Sequence, residues 1–457
     1  MKITQCKVNH MENPIGYQYR HLTFSWIADC RGSLESRIVI SSAGQVVKDT
    51  GWAKLDMAAT TLDVESKPRT RYEWTVAVRN EKGESITSDV NYFETGKMQE
   101  PWTAQWITTT GANDRHPIFY HTLPDGADKK VTKARLYICG LGLYEAYLDG
   151  VKIGADWLTP GFNAYHLWVQ TQTYDVTEMM QSRPKELSIL AGDGWYKSRI
   201  PFEGSSVGFY GNDYRVLAEL HIEYADGSKE VLSTDESWQV RRSNITFSGI
   251  YDGEWQDDTL PQGEVEAVAI ATLLKGQLID RLSVPVRTHE EFHPALVPND
   301  AGEMILDIGQ NLAGIFTLRV HIPKGQRVHI QAGEVLQDGH FYRDNLRTAK
   351  AEFYYTSDGE EHIVRPHFTF YGFRYLKIEG IENFDPKDIT VHALYSDMPM
   401  NSQLMTGHAK LNQFLSNVSW GMKSNFVDLP TDCPQRDERM GWTGDSQVFS
   451  ETACFLA

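Results

Sequence analysis

Positive charge, cysteine and long apolar runs are all scarce in these 457 residues. Lysine and arginine number 44 against 61 aspartates and glutamates, a formal charge of −17. That balance argues against nucleic acid and anionic membranes as partners. No stretch approaches the roughly 20 consecutive apolar residues of a membrane span. The opening Met1-Lys-Ile-Thr-Gln-Cys-Lys-Val-Asn-His10 lacks the apolar core of a secretory leader. The five cysteines (Cys6, Cys30, Cys139, Cys433 and Cys454) are odd in number and without ligand spacing. Reduced thiols in a cytoplasm are therefore expected, rather than disulfides or zinc.

Apolar and aromatic residues make up 41% and 11% of the chain, enough for packed cores, and its length calls for three or four domains. Residues 1 to 97 read as a small β-sandwich. Thr23-Phe-Ser-Trp26, Arg37-Ile-Val-Ile40 and Tyr72-Glu-Trp-Thr-Val-Ala-Val78 alternate apolar and polar at period two. With the closing Phe93-Glu-Thr-Gly96 they resemble a fibronectin type III module, and Gly96 to Pro101 reads as a linker. A second β-rich region runs from 98 to 265, its short strands joined by turns such as Asp149-Gly150 and Asp226-Gly227. A third spans 266 to 397. There Asp307, Gln310, Asn311 and Arg374 sit beside glycines and read as turn residues.

Residues 398 to 457 are helical in pattern. Leu411, Phe414, Leu415, Val418 and Met422 recur at three and four, predicting a helix over 408–424. A second helix carries Val448, Phe449, Thr452 and Phe455 on one face, with Asp445 placed to cap it. Between the two lies Asp428-Leu-Pro-Thr-Asp-Cys-Pro-Gln-Arg-Asp-Glu-Arg-Met-Gly-Trp-Thr-Gly-Asp445. Its eighteen residues hold five carboxylates, two arginines and a tryptophan, and proline and glycine break any regular element. A solvated surface loop would account for the charge, but Trp442 and Cys433 are costly residues to leave in water. A sugar site uses all of them: carboxylates take hydroxyls, one protonated acid serves a leaving oxygen, and an indole packs on a pyranose face.

Residues 431 to 445 closely resemble the signature of the bacterial α-L-rhamnosidases of glycoside hydrolase family 78. That resemblance implies that Glu438 is the general acid and that Asp432, Arg436, Trp442 and Asp445 line the rhamnose subsite. Asp437 joins them as a candidate substrate ligand. Neighbouring Asp432, Asp437 or Asp445 is expected to raise the Glu438 pKa. The resemblance extends to the two larger β-regions, through Gly192-Asp-Gly-Trp-Tyr-Lys197, Ile250-Tyr-Asp-Gly-Glu-Trp255 and Phe368-Thr-Phe-Tyr-Gly-Phe-Arg-Tyr375. The fold it implies is mainly β and multidomain: three β-sandwich domains followed by the first two helices of an (α/α)6 barrel. No cofactor is required. Calcium, held in some relatives, is possible in the second domain, but no ligand can be placed and no metal residue is assigned. Trp195, Tyr196, Asp252, Glu254 and Trp255 could line a secondary sugar patch there, or form the edges of a packed sandwich.

The second helix reaches Ala457 with no glycine, asparagine or proline to end it. The expected activity is inverting hydrolysis of terminal α-L-rhamnosyl groups from small molecules or oligosaccharides. The general base, a later glutamate of the barrel, has no counterpart in 401–457, so these residues alone are expected to be inactive. A second chain could supply the rest of the barrel. The alternative is a non-catalytic carbohydrate-binding or scaffold protein built from β-sandwiches.

Overall fold

Period-two alternation builds the first domain. The computed structural model describes residues 1–29, 34–111, 114–123, 129–200, 207–261, 263–272, 276–382 and 384–457. Strands Leu22–Ala28, Glu35–Ser42 and Arg71–Arg79 bury every second side chain. Phe24 and Trp26 thereby meet Ile38, Ile40, Tyr72, Trp74, Val76 and Val78 in one core. A three-stranded sheet and a six-stranded sheet enclose it. Cys30 lies outside the described residues. The other four cysteines are free, and no described helix is long and apolar enough to cross a membrane.

The 96–101 stretch, expected as a linker, is a clasp instead. Lys97 is buried against Glu219, and Met98 N donates to Asp280 Oδ2 at 2.9 Å. Arg135 of the second domain grips Glu94 through two 2.9 Å bonds. Charged side chains seated this deep need partners on both sides, so the first domain is docked on the second.

Val131–Leu141 and Arg215–Tyr224 form the long antiparallel centre of the second domain's twelve-stranded sheet. The third domain is built around the sixteen-residue strand Ile305–Val320, which pairs with Tyr371–Glu379 and with Ile389–Ser396. A register shift between Asp307 and Leu312 bends that strand, with Gly309 at φ +82°. Asp307, read as a turn residue, sits at this bulge and takes Arg374 bidentately at 2.8 and 2.9 Å.

The domain boundary expected at 265 does not hold. Strands Ile245–Gly249 and Gly253–Asp257 leave the second sheet for the third, where Gly253–Asp257 runs parallel to Glu352–Thr356. A Cβ on Gly253 (φ +112°) would fall 1.6 Å from the Glu352 carbonyl oxygen, so this close pairing requires glycine. Glu266–Ile270 and Gln277–Asp280 then return to the second sheet. The chain crosses between the sandwiches twice, and the crossing carries Ile250, Tyr251 and Asp252 to their junction.

Two long helices follow: α1 (Ala409–Asn425) and α2 (Thr443–Leu456). α1 agrees with the periodicity within a residue, and His408 caps it by accepting from Leu411 N. It leans on the third domain through Trp420 against Phe292, Lys423 against Glu290, and the Ser424 hydroxyl, which accepts from Ala313 N. Asp445 does not cap α2. Trp442 occupies the N-cap with no side-chain capping bond to the helix, and Asp445 lies exposed in the first turn, where a carboxylate complements the helix dipole. The fold is thus mainly β and multidomain, with a helical segment at its C-terminal side.

Candidate active site

The loop between α1 and α2 is fastened to the β-domains by a buried arginine. Arg439, 3% exposed, donates to the carbonyls of Ile250 (2.8 Å), Phe370 (2.9 Å), Gln435 (2.9 Å) and Arg436 (3.2 Å). Its guanidinium also lies 4.9 Å from the Phe370 ring centre. Burial draws its pKa down to about 10, so it remains a cation at neutral pH. Planar five-donor geometry explains why arginine fills this place: no lysine could bond four carbonyls at once. Opposite it, a Cβ on Gly372 would lie 2.8 Å from both Gln435 Cβ and the Pro434 carbonyl carbon. The loop therefore rests directly on strand Tyr371–Glu379. Asp428 locks the near end, accepting from Phe162 N at 2.7 Å.

So anchored, the loop gathers its charges around Glu438. Trp442 Nε1 donates to Glu438 Oε1 at 3.1 Å. Arg347 Nη2 donates to Oε2 at 2.6 Å, and Arg436 Nη2 lies 3.1 Å from the same oxygen. Asp437 is buried. Its Oδ2 accepts from the Thr348 hydroxyl and its Oδ1 lies 2.7 Å from Arg347 Nε. Asp432 takes Met440 N at 3.2 Å and Arg436 at 3.3 Å. Trp442, 44% exposed, presents its indole beside this cluster.

Asp432, Arg436, Asp437, Glu438 and Trp442 are thus brought together, while Asp445 stays in solvent in the first turn of α2. Asp432 and Asp437 do come close to Glu438, but each shares a guanidinium with it: Arg436 pairs with Asp432 and Glu438, and Arg347 with Asp437 and Glu438. Burial raises the pKa of Glu334, which packs against the loop, and lifts that of Asp428 at the loop's start to about 6. Sequence reading missed Arg347, Thr348 and Arg199. Arg347 is 91 residues from its partner Glu438, a separation that no local pattern reveals.

The expected sugar patch of the second domain is mostly interior. Trp195, Tyr196 and Glu254 are buried, Asp252 is paired with Arg199, and Trp255 packs between Phe247 and Tyr354. Among the described residues, the one grouping of acid, thiol and imidazole atoms close enough to share a cation is Asp432, Cys433 and Glu438. It lies in the loop, not in the second domain. Arg436 faces two of its members and burial holds the thiol protonated, so these side chains are a poor cation site. A cleft of about 1030 Å³ opens between the first domain, Arg281, Arg287 and the end of α2, away from Glu438.

Four consecutive segments match known domain families. Residues 3–99 match the Rha78A-like N-terminal immunoglobulin domain, a sandwich related in architecture to the fibronectin type III module expected there. Residues 129–290 match the alpha-L-rhamnosidase N-terminal domain, and 298–395 the bacterial alpha-L-rhamnosidase concanavalin-like domain. Residues 399–457 match the bacterial alpha-L-rhamnosidase 6 hairpin glycosidase domain. An alpha-L-rhamnosidase of Alteromonas sp. (strain LOR) is 30% identical over 506 aligned positions, covering 100% of this chain and 54% of that protein. One from Streptomyces avermitilis is 36% identical over 370 positions, 78% of this chain and 35% of the relative. The solved alpha-L-rhamnosidase from Dictyoglumus thermophilum superposes with a TM-score of 0.89 at 29% identity, covering 100% of this chain and 56% of its own. The Streptomyces avermitilis enzyme complexed with L-rhamnose gives 0.88 at 25% identity, covering 100% of this chain and 63% of its own. The chain spans about half the length of the curated relatives it matches. Signature loop, sandwich order and domain matches agree, and the chain belongs to the bacterial α-L-rhamnosidase family, glycoside hydrolase family 78.

Proposed function

We propose that these residues form the acid side of an inverting α-L-rhamnosidase site. Glu438 protonates the glycosidic oxygen of a terminal α-L-rhamnosyl group on a small molecule or oligosaccharide. Trp442 packs on the pyranose, and Asp432, Arg436 and Asp437 serve its hydroxyls. The observation that carries the reading is the Trp442–Glu438 hydrogen bond, which sets an acid at the edge of an exposed indole. Inversion needs a second carboxylate roughly 6.5–9.5 Å away to activate water. The acids beside Glu438 are already engaged, Asp432 within the loop by Arg436 and Met440, Asp437 by Thr348 and Arg347 of the third domain. Neither acid is free to activate water, so the residues described here bind rhamnose without hydrolysing it. No cofactor enters the reaction. The free thiols fit a cytoplasmic setting.

Titrating the chain with L-rhamnose tests this reading. Saturable binding is expected, weakened about tenfold by Trp442→Ala, equivalent to ~1.4 kcal/mol, and retained in Glu438→Gln. Absence of binding, or equal binding by Trp442→Ala, would overturn it.

A further inference from the structure

We propose that Arg347, and Arg199 behind it, are positioning residues for Glu438, so that the second and third β-domains set the orientation of the acid. This rests on the reading of Glu438 as the acid. Asp437 and Glu438 are adjacent carboxylates, and neighbouring side chains on an extended backbone point apart. Here the backbone turns sharply, with Glu438 N donating to Arg436 O at 2.9 Å and Arg439 at φ +49°. Both acids consequently face one guanidinium, Asp437 Oδ1 at 2.7 Å and Glu438 Oε2 at 2.6 Å. Their mutual repulsion is offset by the cation between them. With Oε2 held, Oε1 is left to the Trp442 indole N–H, which fixes the carboxyl plane relative to the stacking surface. A planar fork spans two carboxylates; a lysine ammonium has no such geometry.

Arg347 is itself held in place. It follows the turn Asp344–Leu346 with φ +56°, a left-handed value that a non-glycine residue keeps only where its surroundings demand it. Its neighbour Thr348 donates to Asp437, and Arg199 of the second domain donates to both the Thr348 hydroxyl (3.2 Å) and its carbonyl (3.1 Å). Arg199 is in turn clamped by Asp252 at 2.8 and 2.9 Å. An unbroken polar chain thus runs from Asp252 through Arg199, Thr348 and Asp437 to Arg347 and Glu438. Asp252 lies on the crossing segment that joins the two sandwiches, which gives the strand exchange a consequence at the site.

The test reads Trp442 directly. The chain is labelled with 5-fluorotryptophan, and the Trp442 signal is assigned by its loss in Trp442→Phe. Arg347→Ala and Arg199→Ala are expected to shift or broaden this fluorine resonance, as Glu438→Gln does, while the other tryptophan signals and the melting temperature stay in place. Arg347→Lys, which keeps the charge without the fork, is expected to leave the signal displaced. A Trp442 signal unmoved in Arg347→Ala, or restored by lysine, overturns the role of Arg347; one unmoved in Arg199→Ala overturns that of Arg199. Should Arg347→Ala fail to fold, the lysine variant decides by the same criterion. The resonance is read without sugar, so failure of rhamnose binding would remove the acid reading and leave this result standing.

Discussion

Arg439→Ala would strip hydrogen bonds from four backbone carbonyls and leave a hole where a guanidinium was packed. Lost bonds and cavity together are expected to cost about 2–4 kcal/mol in chemical denaturation, with the loop 428–442 becoming the first site of proteolytic cutting. Unchanged stability would contradict the anchoring role. Asp428 supplies a pH dependence. Burial lifts its pKa from 3.8 to about 6, so the folded chain keeps a proton there that the unfolded chain releases. Between pH 4 and 6 the native state binds more protons, and this group's contribution to stability falls as pH rises. Asp428→Asn retains an acceptor for Phe162 N and does not titrate. Its stability relative to the parent should therefore climb across that window and level off above it. Parallel pH profiles for the two proteins would show that Asp428 titrates normally.

At the scale of elements, strand Tyr371–Glu379 and the signature loop form a fitted pair. Gly372→Ala adds a methyl where Gln435 Cβ and the Pro434 carbonyl carbon already lie 2.8 Å away. The loop must lift, at an expected cost of about 1–3 kcal/mol, and rhamnose binding should weaken with it. A glycine variant with normal affinity would refute the fit. The helix α1 was legible in the sequence because its apolar spacing is local, and so were Asp432, Arg436, Asp437, Glu438 and Trp442, which share one short loop. The exchange of Gly253–Asp257 into the third sheet was not legible, nor was the Arg347–Glu438 pair. Both depend on partners some 90 or more residues away. Asp445 shows the other limit: its place before a helix suggested a cap, whereas the chain turns into α2 two residues earlier and leaves it in the first turn.

For the whole molecule, the buried Lys97–Glu219 pair is one of the contacts that dock the first domain on the second. Lys97→Met leaves Glu219 buried and charged without its lysine, which ordinarily costs about 3–5 kcal/mol. The expected result is a separate, earlier unfolding step for residues 1–95 in calorimetry; a single unshifted transition would contradict it. At the other end, Phe414 and Leu411 on α1, with Val448 (81% exposed) and Phe455 (69%) on α2, present apolar side chains to solvent. The face of α1 that carries Met422 leans on the third domain, and the remaining apolar side chains are left exposed.

The most direct measurement is hydrolysis of an aryl α-L-rhamnoside by the purified 457-residue chain, beside Glu438→Gln. The expected result is no turnover above the Glu438→Gln background while L-rhamnose still binds. Turnover by the parent chain that disappears in Glu438→Gln would mean that a base lies within these residues, and the division of the site into two halves would be wrong.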